Sequence, residues 1–222
     1  MTEPSSLVYS PLDLHAWERK QHFELYKNFT NPYFNVCIRL KAWPLYEYCK
    51  NNNLSFFLAY VYLAHITASE YRPMSLRIEN DHPVHCHKPR VSVVQLAADE
   101  TFRFSYLQLT QSFSEYRYHH QEQSERSLND PLFSDAFART EGQCDLIHVS
   151  VLPWLNFSSF SHASSIGASN GIPKLVFGQY DKESTCMPLS IDVHHALVDG
   201  LHVARFVQLL QEKFLNPDKY LA

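Results

Sequence analysis

The period of apolar and polar positions changes repeatedly along the chain, and the changes mark out helices and strands. Over residues 17–29, His22, Leu25, Tyr26 and Phe29 recur at i, i+3, i+4 and i+7, which predicts a helix with Ser10 or Asp13 as its cap. Residues 34–40 read as a strand. Over 54–69 the apolar side chains of Phe56, Phe57, Tyr60, Val61, Leu63, Ala64 and Ile66 cover nearly the whole circumference, as in a helix buried on several sides. Strands are expected at 91–96 and 101–109, then a helix over 111–120 that gives way to a polar loop reaching residue 129. Three more strands (146–152, 174–180 and 187–193) precede an amphipathic helix over 201–214 that presents Val203, Phe206, Val207 and Leu210. This succession predicts an α/β fold, a mixed β-sheet covered by helices.

Composition does not shift along the chain, and no repeat, linker or low-complexity tract interrupts it, so one domain spanning residues 1–222 is expected. Nineteen basic against 23 acidic residues give a formal charge of −4, which supplies no overall footprint for nucleic acid or an anionic membrane. An anionic ligand must then be met by local basic groups. The start of the chain has neither the basic residues nor the apolar run of a signal peptide, and no segment approaches a membrane span, so a soluble, cytoplasmic protein is expected. Five scattered cysteines without a C-x-x-C pair point to reduced thiols.

The chemistry-bearing stretch is Ser190-Ile-Asp-Val-His194-His195-Ala-Leu-Val-Asp199-Gly200-Leu-His-Val-Ala-Arg-Phe206. It sets two histidines at the end of an alternating strand and an Asp-Gly turn before the last helix. Neighbouring strand residues point to opposite faces, so His194 and His195 do not bind one metal together, and at most one faces a given pocket. An imidazole with a pKa near neutrality suits general-base work.

His-His-x-x-x-Asp-Gly is the signature of the coenzyme A-dependent acyltransferases, and the continuation Leu-His-Val-Ala-Arg-Phe resembles the chloramphenicol acetyltransferases. Trp17-Glu-Arg19-Lys-Gln-His22-Phe23-Glu-Leu-Tyr26 is similar to that family's first helix, and Ser150-Val-Leu-Pro153-Trp154-Leu-Asn-Phe157-Ser-Ser159-Phe160 to its active-site strand. The resemblance covers nearly the whole chain and implies the family's two-layer fold. It implies an acetyl-CoA-dependent O-acetyltransferase without a metal, in which His195 is the base and Ser150 donates to the oxyanion in a ternary complex. Asp199 pairs with Arg19 to hold the histidine loop, and His194 is structural. It further implies a homotrimer with sites shared between subunits and an aromatic acceptor pocket to which Tyr26, Phe102, Phe104 and Phe137 belong. Trp154, Gln179 and Ser55 fall at the coenzyme A site.

The sequence departs from the family at both ligand sites. Two phosphate-binding lysines are replaced by Ser55 and Gln179, with Lys174, Lys182 or Arg205 as substitutes nearby. A threonine near the oxyanion appears as Val176, apolar pocket walls as His148, His162 and Ser164, and a pocket cysteine as Pro32. These changes point to an acceptor more polar than chloramphenicol, or to a catalytically weakened member that binds a small hydrophobic ligand. A separate reading takes His82, His85, Cys86 and His87 as a metal cluster, but no second ligand pair stands at a recognised spacing.

Overall fold

The computed structural model describes residues 8–163 and 170–222. Its main sheet has six strands in the order β2-β9-β8-β7-β5-β6, where β2 is Tyr33–Lys41, β5 Arg90–Leu96, β6 Phe102–Leu107, β7 Leu146–Val151, β8 Lys174–Phe177 and β9 Cys186–His194. Strands β5, β7 and β8 run parallel to their neighbours in that group, and the remaining pairs are antiparallel. The sheet is therefore mixed, as the alternating pattern predicts.

Period-2 alternation gives the sheet two unlike faces. On one, Phe34, Val36 and Ile38 of β2 lie opposite Val193, Ile191 and Leu189 of β9. With Val91, Val93, Ile147, Val149, Leu175 and Phe177 they join the core beneath the helices. Those helices are α1 (Lys20–Tyr26), α2 (Trp43–Asn51), α3 (Phe56–Glu70), α4 (Phe113–Asn129) and α6 (Gly200–Leu215). Helix α3 buries ten residues, including the run from Leu58 to His65, as its near-continuous apolar surface requires. The second face carries Asn35, Cys37, Ser92, His148, Ser150, Lys174, Ser190 and Asp192. Its apolar members Leu146 and Val176 are buried yet stand outside the core cluster.

Four features differ from the periodicity reading. Helix α1 begins only at Lys20 and has no side-chain cap, so neither Ser10 nor Asp13 caps it. Its buried residue is Phe23, packed 6.0 Å from Trp17, whereas His22, Leu25 and Phe29 are exposed. Helix α4 continues nine residues beyond the expected end at 120, to Asn129, because polar groups seat it. Ser124 and Ser127 hydrogen-bond to Gln95 and Ser105 on the sheet, and such contacts leave no hydrophobic periodicity to read. A second sheet, unforeseen, orders β1 (Tyr9–Pro11), β4 (His82–Cys86) and β3 (Leu76–Glu79). Two short helices complete the elements, α5 (Asp135–Thr140) and α7 (Asp218–Leu221).

Candidate active site

His195 leaves the end of β9 with its backbone held from two sides. Its N–H donates to the Pro32 carbonyl at 2.8 Å, and its carbonyl accepts from Arg19 Nη2 at 3.0 Å. The imidazole stacks on Tyr26, with centroids 4.1 Å apart and planes 8° from parallel, and tilts against Phe34 at 4.8 Å. Nδ1 is buried without a hydrogen-bond partner among the described residues. Nε2 is the nitrogen left facing outward. His194, by contrast, points to the second face against Tyr33 and is buried. Its Nδ1 accepts from the Ala196 N–H, and burial lowers its pKa to about 4, so it is neutral at pH 7.

The turn after the histidines is fixed by Asp199. Its carboxylate caps α6 by accepting from the Leu201 and His202 N–H groups, and it takes a 2.5 Å hydrogen bond from Arg19 Nη1. Burial alone would raise its pKa, but His202, Arg19 and the helix N–H groups outweigh that and hold it below the usual carboxylate value. Arg19 thus joins the Asp199 carboxylate to the His195 carbonyl, while the Asp199 carboxylate is engaged with the guanidinium and the helix end.

Ser150 lies elsewhere. It sits on β7 opposite Val176, which lies opposite Ser190 on β9, four residues before His194. Two strand spacings and five residues along a strand put Ser150 roughly 20 Å from His195 within the chain. They also face different sides of the sheet. Tyr26 belongs to the His195 end, but Phe102, Phe104 and Phe137 cluster at the far edge, on β6 and α5, with centroids 5.4 and 5.7 Å apart. Phe104, Phe137 and Tyr106 line a cleft there of about 540 Å³, with Arg103, Arg126 and Arg139 also in its wall.

Ser55, Trp154 and Gln179 come together at the end of the sheet remote from His195. Ser55 caps α3 by accepting from the Leu58 N–H, and its neighbour Phe56 lies against Tyr180, which stacks on Tyr46 at 4.7 Å. Gln179 donates its N–H to Leu155 beside the exposed Trp154. Of the three basic residues named as substitutes, Lys182 stands in the turn just beyond Gln179, Lys174 is at the other end of β8 and Arg205 is on α6.

His148 and His162 both fall on the second face. His162 Nδ1 pairs with Asp192 at 2.8 Å, and Asp192 also accepts from Asn35. His148 lies 3.7 Å from Glu141, and burial lowers its pKa to about 4. Ser164 lies outside the described residues, and Pro32 is buried at the start of β2. The histidines of the supposed metal cluster have other engagements: His82 faces the Asn80 carbonyl, His87 faces Ser10, and His85 packs on His87. Among the described residues no three metal-binding side chains gather.

A family model for chloramphenicol acetyltransferase matches residues 7–211. The chain belongs to the chloramphenicol acetyltransferase family. It is an acyltransferase by that membership. Chloramphenicol acetyltransferase 3 of Escherichia coli is 26% identical over 210 residues, covering 92% of this chain and 96% of that one. A chloramphenicol acetyltransferase of Clostridium perfringens is 24% identical over 220 residues, covering 97% and 99%. Among solved structures, a chloramphenicol acetyltransferase aligns with TM-score 0.82 at 23% identity over 93% of this chain and 99% of its own. A probable dihydrolipoamide acetyltransferase of Listeria monocytogenes aligns with TM-score 0.65 at 16% identity, over 88% and 89%. The fold is that of the wider acyltransferase group.

Proposed function

We propose that this chain transfers an acetyl group from acetyl-CoA to a hydroxyl of chloramphenicol or a related small acceptor. The observation that carries the reading is His195, whose imidazole is fixed by stacking on Tyr26 and whose backbone is clamped through Arg19 and Asp199. With Nδ1 buried, Nε2 takes the acceptor's proton as its oxygen attacks the thioester carbonyl, and a positioned base of this kind contributes about 10²–10⁴-fold. Ser150 donates to the oxygen on which charge gathers. Acceptor and donor react directly in a ternary complex, and no metal takes part.

Because His195 and Ser150 stand far apart in one chain, the working unit is a homotrimer in which His195 of one subunit meets Ser150 of the next. Phe102, Phe104 and Phe137 then join the Ser150 half of the acceptor pocket, while Tyr26 stays with His195. Coenzyme A is received by Trp154, Gln179 and Ser55, where the N-terminus of the 15-residue helix α3 favours a phosphate. Five free thiols suit the cytoplasm.

Acetyl transfer is measured by thiol release from acetyl-CoA, with chloramphenicol and other hydroxylated compounds as acceptors. His195→Ala should abolish it while donor binding persists. Retention of most turnover by that variant would remove His195 as the base. The loss of two lysines at Ser55 and Gln179 favours a second reading, a weakened member that binds a small hydrophobic ligand. A thermal-shift titration separates the two, since an enzyme must bind acetyl-CoA and be stabilised by it.

A further inference from the structure

The second face of the sheet carries a polar stripe that the reaction above does not use. Strand register aligns Tyr106, Ser92, His148, Lys174, Asp192 and Asn35 side by side across all six strands. Glu141, at the end of α5, reaches over this stripe. The Tyr106 hydroxyl donates to Glu141 Oε2 at 3.1 Å, while Glu141 Oε1 stands 3.7 Å from His148 Nε2. The latter distance is too long for a hydrogen bond. The buried Ser92 hydroxyl lies beside the same carboxyl and has no well-formed hydrogen bond of its own.

The Glu141–His148 pair does not close to hydrogen-bond distance. It leaves a gap, and 23% of each side chain remains exposed. An oxygen about 2.7 Å from the carboxylate and about 2.9 Å from the imidazole nitrogen can bridge the two from the side, about 2 Å off the line between them. His148 is two residues before Ser150 on β7, and both point the same way, so their Cα atoms lie about 7 Å apart.

We propose that Glu141 and His148, backed by Tyr106 and Ser92, form a subsite for a second hydroxyl of the acceptor, which is therefore a polyhydroxylated molecule. The inference rests on the acetyltransferase reading above and names its acceptor class. The hydroxyl donates to Glu141 Oε1 and accepts from an N–H of His148, which burial keeps neutral with one donor and one acceptor nitrogen. An ammonium group fits less well, because Lys174 lies next to His148 in the stripe. An apolar arm fits least. It would leave the carboxylate, the imidazole and the Ser92 hydroxyl covered and unpaired.

The test uses alkyl glycosides and their monodeoxy analogues. Binding is measured by titration calorimetry with coenzyme A present, and turnover by thiol release from acetyl-CoA. Loss of one particular hydroxyl should weaken binding to the native protein about tenfold. Glu141→Gln, nearly the same shape, should shrink that ratio to about threefold, and His148→Phe should erase it while lowering the Michaelis constant for chloramphenicol. Should His148→Phe not fold, Glu141→Gln carries the test alone.

Equal binding of parent and deoxy compounds to the native protein overturns the proposal, as does an undiminished ratio in Glu141→Gln. Deoxy discrimination in binding without thiol release supports the subsite and removes the acetyltransferase reading. His195-dependent thiol release without such discrimination does the reverse.

Discussion

Two inactive variants should restore each other if the active site is shared. The strand register puts Ser150 and His195 roughly 20 Å apart in one chain, from five residues at about 3.4 Å and two strand spacings at about 4.8 Å. Side chains built from bonds of about 1.5 Å cannot close that distance, so the two groups can meet only across an interface. Ser150→Ala keeps His195, and His195→Ala keeps Ser150. In a closed ring of three, each site takes its histidine from one subunit and its serine from a neighbour. Each kind of mixed ring, two of one variant with one of the other, then holds one complete site in three, so purified mixed trimers should have activity near a third of native. The single variants should fall much lower, Ser150→Ala by about 10²–10³. Co-expression of the two variants with different tags, sequential affinity purification of mixed assemblies and thiol-release assay make the measurement. Mixed trimers no more active than the sum of the separate variants would refute the shared site. So would light scattering that finds a fully active monomer of 25.9 kDa.

Asp199→Asn keeps an amide that can still cap α6, so its cost measures the Arg19 pair. With Asp199 about a third exposed, the buried-pair cost shrinks to about 1–2 kcal/mol, and calorimetry should find the melting temperature lower by about 2–8 °C. Native stability with a defect in turnover alone would instead assign Asp199 a direct catalytic part. Burial lowers the pKa values of His65, His148 and His194 to about 4. The unfolded histidines titrate near 6.5, so the unfolded chain takes up protons first as pH falls, and stability present above about pH 6.5 is lost progressively down to about pH 4. Urea midpoints at pH 7 and pH 5 should differ in that direction, and His65→Gln should reduce the difference. An unchanged slope in that variant would acquit His65. Lysines at positions 55 and 179, introduced as Ser55→Lys with Gln179→Lys, should tighten coenzyme A binding about tenfold at low salt, with the gain fading as salt rises. No gain would move the phosphate site away from the N-terminus of α3.

What could be read in the sequence was what is local in it. Helix α3 and strand β9 declare themselves because burial imposes a pattern on consecutive residues, and the histidine motif is a single stretch whose turn and cap are neighbours along the chain. Helix α4 beyond residue 120 was hidden because Ser124 and Ser127 seat it through hydrogen bonds, which leave no apolar stripe. The strands of the small sheet have three to five residues, too few for alternation to register. Helix α1 shows the opposite error, in which His22, Leu25 and Phe29 of a real repeat lie on the exposed side and the buried residue of the helix is Phe23. At the site, His148 and His162 drew notice as departures. Their partners Glu141 and Asp192 did not, because register and the end of α5 bring together segments that nothing in the linear order connects.

Those partners bear on what the departures mean. A polar side chain placed alone in an apolar wall costs about 1–3 kcal/mol, and an enzyme losing its function would gather such groups without compensation. Here His162 is paired with Asp192, Asp192 with Asn35, and Asn35 with Ser190. Glu141 is held by Tyr106 and stands 3.7 Å from His148. Of the polar replacements, His162 is therefore part of a connected set, while His148 faces a carboxylate without a direct hydrogen bond. Two atoms on or beside the stripe, Ser92 Oγ and His162 Nε2, are left buried without a well-formed hydrogen bond among the described residues. The pairing of His162 and the carboxylate facing His148 suit a changed acceptor, and they weigh against decay toward a binder of hydrophobic ligands. Under the proposed reading His195 keeps its surroundings, Tyr26, Arg19 and Asp199, while the polar wall beside Ser150 on β7 receives a hydroxyl of the acceptor.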